Sequence, residues 1–169
     1  MRTMTRLQQT IYTILQGVAQ DHGNMRVMLE TRPMANVRTS EVETPCAVCF
    51  CISDWRFNIR DSRRRESADV LVSFLDRQPN YGFDGIPNSA IVAPMEDVAE
   101  VFVARVLATP TLEVEGNEIS ARTVYDEYDT NLTGVQITIR VGERQGTCLA
   151  SDFPEPEPEQ TPEPTPEEP

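Results

Sequence analysis

The chain predicts an α+β domain: a mostly antiparallel sheet with two helices packed on one face. Three patterns carry that expectation. Leu7, Ile11, Ile14, Leu15 and Val18 recur at i, i+4, i+7, i+8 and i+11, the apolar stripe of an amphipathic helix. Val135, Ile137, Ile139 and Val141 alternate with Gln136, Thr138 and Arg140, the period of a strand with one buried face. Ala47 to Ile52 is apolar on both faces, as in a central strand covered on two sides.

Taken in order, Thr3 or Thr5 can cap a first helix that runs to about Asp21, where His22-Gly23-Asn24 supplies the stop. A short strand over 25–29 follows, then a polar stretch with Pro33 and Pro45 that reads as a loop. After the apolar strand of 47–52, SDWRFNIRDSRRRES is charged and reads as a hairpin tip or extended arm. Asp69 to Leu75 returns as a strand with Val70, Val72 and Phe74 on one face. Pro79, Gly82, Gly85 and Pro87 mark a loop over 78–88. Pro94 then suits the first turn of a second helix, MEDVAEVFVARVLAT, with Glu96 and Asp97 at its positive end and Pro110 after it. The stretch TVYDEYDTNLTGVQITIRV (123–141) is a closing hairpin. Hairpin-joined strands with helices set apart leave a sheet with an open second face or open edges, which a neighbouring subunit can cover.

At 169 residues, one domain over 1–150 is expected, followed by a Pro/Glu-rich extended tail over 151–169. From Asp152 onward lie seven of the 13 prolines, seven carboxylates and no base, so most of the net charge of −12 belongs to the tail. The folded part is only mildly acidic and lacks an overall basic surface that would draw it to DNA from a distance. All 15 basic residues are arginine, which reads as genomic base composition more readily than as 15 bidentate sites. The N-terminal MRTMTRLQQ is polar and leads into no apolar signal region, and no apolar run approaches the ~18 residues of a membrane span. An intracellular setting with reduced thiols, and no membrane, is the expectation.

No residue cluster predicts catalysis, a cofactor or a metal. Cys46, Cys49 and Cys51 have metal-type spacing, yet on a strand Cys46 faces away from the other two, so buried hydrophobic cysteine is the better reading. His22 has no nucleophile beside it and reads as a helix cap. Asp126, Glu127 and Asp129 lack the spacing of a calcium loop and read as turn and interface chemistry. Arg60, Arg63, Arg64 and Arg65 are the sharpest charge feature. Contact with DNA phosphates or an acidic partner stands beside a solvated tip partly neutralised by Asp61, Glu66 and Asp69. Trp55 and Phe57 beside them favour an interface, because aromatic residues and arginine dominate binding hot spots. The tail favours an extended polyproline II form, either a strap over a neighbour's arginines or a solubilising segment.

RLQQTIYTILQGVAQ, then ADVLVSFLDRQ with APMEDVAEVFVARVL, then YDEYDTNLTGVQITIRV, over about residues 5 to 142, resemble the tail-terminator, head–tail connector and tail-completion proteins of tailed bacteriophages, particularly those of Bacteroidetes phages and prophages. The Pro/Glu-rich tail departs from that pattern. The resemblance implies a structural virion protein, not an enzyme. It would form a ring of six or twelve copies at the head–tail junction, touching neck, portal or tail-tube proteins and lining a channel through which DNA passes. In that frame the interface residues are Trp55, Arg60, Arg63, Arg64, Arg65, Asp126 and Asp129, and an acidic channel wall lets DNA slide without adhering. The competing reading is a small intracellular adaptor whose acidic tail binds a basic protein.

Overall fold

A computed structural model describes residues 5–31, 35, 43–52, 54–60, 63–77, 85–116, 118–127, 132–144 and 147–148. In chain order the elements are α1 (Arg6–Asp21), β1 (Arg26–Glu30), β2 (Cys46–Phe50), β3 (Trp55–Arg60), β4 (Arg63–Arg77), α2 (Gly85–Ala108), β5 (Leu112–Val114), β6 (Ser120–Glu127), β7 (Leu132–Glu143) and β8 (Thr147–Cys148). The strands form one sheet, antiparallel except for the β1–β2 pair. Both helices pack on one of its faces, so the α+β architecture is as expected.

Two long strands are the spine. β4 and β7 pair from Ser67↔Gly142 to Arg77↔Leu132. Along its other edge β4 pairs first with β3 and then with β2, end to end, and β1 lies outside β2. The outer edge of β7 is likewise shared, by β6 along its first half and β5 at its end. β8 returns to β4, with Cys148 opposite Arg63 and Thr147 opposite Arg64.

Thr5 caps α1, its hydroxyl accepting from the Gln8 amide, and the helix ends where the His22 amide donates to Val18. Gly23 and Asn24 follow in the left-handed region, the backbone turn that HGN predicts. The stripe of α1 and Met95, Val98, Phe102 and Val106 of α2 cover Ala47, Cys49, Val70, Val72, Phe74, Val135, Ile137, Ile139 and Val141 of the sheet. Phe74 and Phe102 meet in a tilted ring contact at 5.7 Å. Gly134 crosses close above β4: a Cβ there would overlap the carbonyl oxygen of Phe74, so only glycine allows this pairing.

The structure differs from the sequence expectation in four places. α2 begins at Gly85, not Pro94, and Pro94 sits inside it. Pro94 cannot donate its backbone hydrogen bond there, and Ile91 and Val92 of the preceding turn pack against the core. The return strand begins at Arg63, not Asp69, so the charged segment expected as a hairpin tip or extended arm pairs as β3 and the first part of β4. Short strands β5 and β8 add to the sheet. Finally, the second sheet face is not fully open: Met28, Ala35, Cys46, Val48, Phe50, Leu75, Val124 and Leu132 make a second buried cluster on it. Gln136 is buried there as well, although its neighbours Thr138 and Arg140 are exposed.

Candidate functional site

The β3–β4 hairpin is the strongest surface feature. WRFNIR alternates large apolar residues with polar ones, and that alternation is why it forms a strand. Trp55 lies opposite Ala68 and Phe57 opposite Glu66, so both residues stand on the helix-bearing face of the sheet. Neither is covered by the helices: Trp55 is 44% exposed and Phe57 52%. At the hairpin end Arg60 pairs in register with Arg63 and Ile59 with Arg64.

Arg65 is placed differently from the rest of the arginine run. Its guanidinium lies 2.8 Å from Glu113 and 3.8 Å from Glu115, with the side chain 27% exposed. It passes over Gly142, where a Cβ would come within 3.2 Å of its Nη2. Arg65 thus ties β4 to β5 across β7. On the same sheet face the Arg140 guanidinium donates to both oxygens of Asp69, at 2.6 and 3.2 Å, and Arg56 adds a longer ion pair at 3.7 Å. The hydrogen bond from Arg140 holds the Asp69 carboxyl below the usual carboxylate range.

Of the other residues singled out in the sequence, Asp126 belongs to β6, just inside a register shift between Val124 and Glu127, and Asp129 lies outside the described residues. Cys46 and Cys49 point to opposite faces of β2, each in one buried cluster, and burial pushes both thiols up to about 12. Cys51 is exposed. Among the described residues no three His, Cys, Asp or Glu side chains come together as a metal site.

Two buried polar side chains were not anticipated. Gln8 is buried in α1, where its oxygen accepts from the Ile52 amide at 2.7 Å and its nitrogen donates to Cys49 Sγ at 3.5 Å. It anchors the end of β2 just before the hairpin. The signal was a polar residue three positions before Ile11 and seven before Leu15, inside the apolar stripe. Gln136 accepts from Arg122 at 2.7 Å and donates to Ser73 at 2.9 Å, a polar rung across β6, β7 and β4.

A cleft of about 440 Å³ opens between the first turn of α1 and the start of β5, lined by Arg6, Leu7, Thr10, Pro110, Leu112 and Glu143. Arg6 and Glu143 bring one base and one acid to its lining. Among the described residues no helix is long and apolar enough to cross a membrane. Compared with known proteins, the chain matches no family model, and no curated protein matches it.

Proposed function

We propose that this chain is a structural virion protein that assembles into a ring at the head–tail junction of a tailed phage, with the β3–β4 hairpin as an assembly surface. The observation that carries the reading is the exposure of Trp55 and Phe57 on one face of a hairpin that also bears Arg56, Arg60, Arg63 and Arg64. Large aromatic groups beside arginine are the residue types that dominate buried interfaces, and water is a poor environment for them. The sheet edges support a ring of identical copies. Among the described residues β1 and β6 each have a neighbour on one side only, and two different edges joined head to tail generate rings.

The test is the oligomeric state of the purified protein, read by mass photometry and negative-stain imaging, alone and with the neck, portal and tail-tube proteins encoded beside it. A closed ring of six or twelve copies is expected. A double variant, Trp55→Ser with Phe57→Ser, should lose the ring while keeping the wild-type melting curve, because neither side chain belongs to the core. A chain that stays monomeric in every mixture and instead captures a basic protein would establish the adaptor reading.

A further inference from the structure

Strand directions fix how two copies can share a sheet. β1 runs parallel to β2, while the pairs β2–β4, β4–β7 and β7–β6 are each antiparallel, so β1 and β6 run in opposite directions. They are the two ends of the path β1-β2-β4-β7-β6, and among the described residues neither has a second neighbour. Rotation about an axis along the strands keeps those directions, so the β6 of one copy meets the β1 of the next antiparallel. The faces match as well. Met28 of β1 and Val124 of β6 both belong to the buried cluster on the face opposite the two helices. Val27 and Leu29 pack on the helix-bearing face, where Thr123 stands opposite Val135 with Tyr125 two residues on.

Resting on the ring reading above, we propose that β6 of a second copy of this chain adds to the outer edge of β1, with Leu29 opposite Thr123 and Val27 opposite Tyr125. Tyr125 is 56% exposed, and this pairing gives it a seat. A groove of about 380 Å³ runs between α1 and β1, lined by Tyr12, Gln16, Ala19, Met25 and Val27. The tyrosine ring enters that groove while the two main chains complete each other's ladders. In the same register Glu30 falls opposite Arg122, and Arg26 comes to the end of β6 that holds Asp126 and Glu127. Opposite charges thus meet at both ends of the joint. Other registers are worse. Sliding β6 by two residues one way sets Arg122 opposite the buried Met28, and the other way carries Tyr125 past the groove to Leu29. The joint also adjoins the surface assigned above to assembly. β2 and β3 share one edge of β4, and β5 and β6 share the far edge of β7, so a copy arriving through β6 approaches from the side on which β3 stands.

Engineered cysteine pairs read the joint directly. In chains carrying Cys51→Ser and Cys148→Ser, a mixture of Leu29→Cys and Thr123→Cys copies should oxidise to a covalent dimer. The yield should exceed roughly ten-fold that of Leu29→Cys with Ala121→Cys, a pair two residues out of register. Tyr125→Ser should weaken self-association about ten-fold or more while keeping the wild-type melting curve, because the side chain is exposed. Arg122→Glu should separate the copies, and adding Glu30→Arg to the same chain should rejoin them, because each copy then carries the exchanged charge on both edges. Absence of the Leu29-to-Thr123 link from every mixture overturns the proposal, as does a Tyr125→Ser chain that assembles like wild type. Thr123→Cys copies that link to one another instead join β6 to β6 and overturn it too. A closed ring without the link keeps the ring and refutes this joint, whereas linked copies that stay in open chains keep the joint and refute the ring.

Discussion

Asp69 accepts from Arg140 through both carboxylate oxygens while Arg56 approaches from β3, so one acid ties three strands together at their solvent-facing side. The donation from Arg140 favours the charged form and lowers the folded-state titration point below that of the unfolded chain. The contribution to stability is therefore present above the unfolded value, near ~3.9, and is lost as pH falls through the lowered folded value. An NMR titration should place the Asp69 midpoint below ordinary aspartate, and Arg140→Gln should move it up; a wild-type midpoint at the ordinary value would show that the pairing is absent in solution. Arg65 illustrates how far residue chemistry alone reaches. In the sequence it is one of three consecutive arginines, indistinguishable from Arg63 and Arg64. In the fold its guanidinium meets Glu113 and Glu115, because β5 is brought to the far edge of β7.

Strand β7 is the element on which the domain depends, since it pairs along nearly its whole length with β4 and carries β5 and β6 on its other edge. Its period-two pattern gives adjacent positions opposite fates. Ile137, opposite Val72, is 4% exposed, while Thr138, opposite Leu71, is exposed. Ile137→Asp would place an unpaired charge in the core at a cost of several kcal/mol, a large share of the roughly 5–15 kcal/mol that holds a domain folded. Thr138→Asp should change stability by less than about 0.5 kcal/mol. Circular-dichroism melts of the two variants decide the matter: an unfolded Ile137→Asp beside a wild-type-like Thr138→Asp is expected, and the reverse would mean that the faces of β7 are exchanged. Helix α2 shows the opposite case, in which a strong local signal misplaces an element. Pro94 and the prolines before it argue for a late start, yet the helix begins at Gly85 and its turn before Pro94 packs Ile91 and Val92 against the core.

For the molecule as a whole, two buried clusters lie on the two faces of one sheet, and β2 contributes to both. Cys49 sits in the larger cluster and Cys46 in the smaller, so their thiols sense the opening of each layer separately. Desolvation raises both to about 12 from near 9.0. Their contribution to stability is complete below the unfolded value and falls as pH rises from there towards 12. Alkylation at pH 8 followed by peptide mass spectrometry should find Cys51 labelled rapidly, with Cys46 and Cys49 protected until the fold opens. Labelling of Cys46 ahead of Cys49 would make the smaller cluster the first to give way, whereas rapid labelling of both in native buffer would contradict the burial of β2. The stripe of α1, the alternation along β7 and the apolar run of β2 are properties of short windows, so the fold class and the helix-bearing face were legible in the residues. The aromatic and arginine composition of the candidate surface was legible for the same reason. Strand partners are not a property of any window: β1 parallel to β2, β2 and β3 sharing one edge of β4, and β8 returning to Arg63 join positions up to 85 residues apart. Those pairings follow from which side chains fill the space between helices and sheet, and that complementarity exists only once the chain has closed on itself.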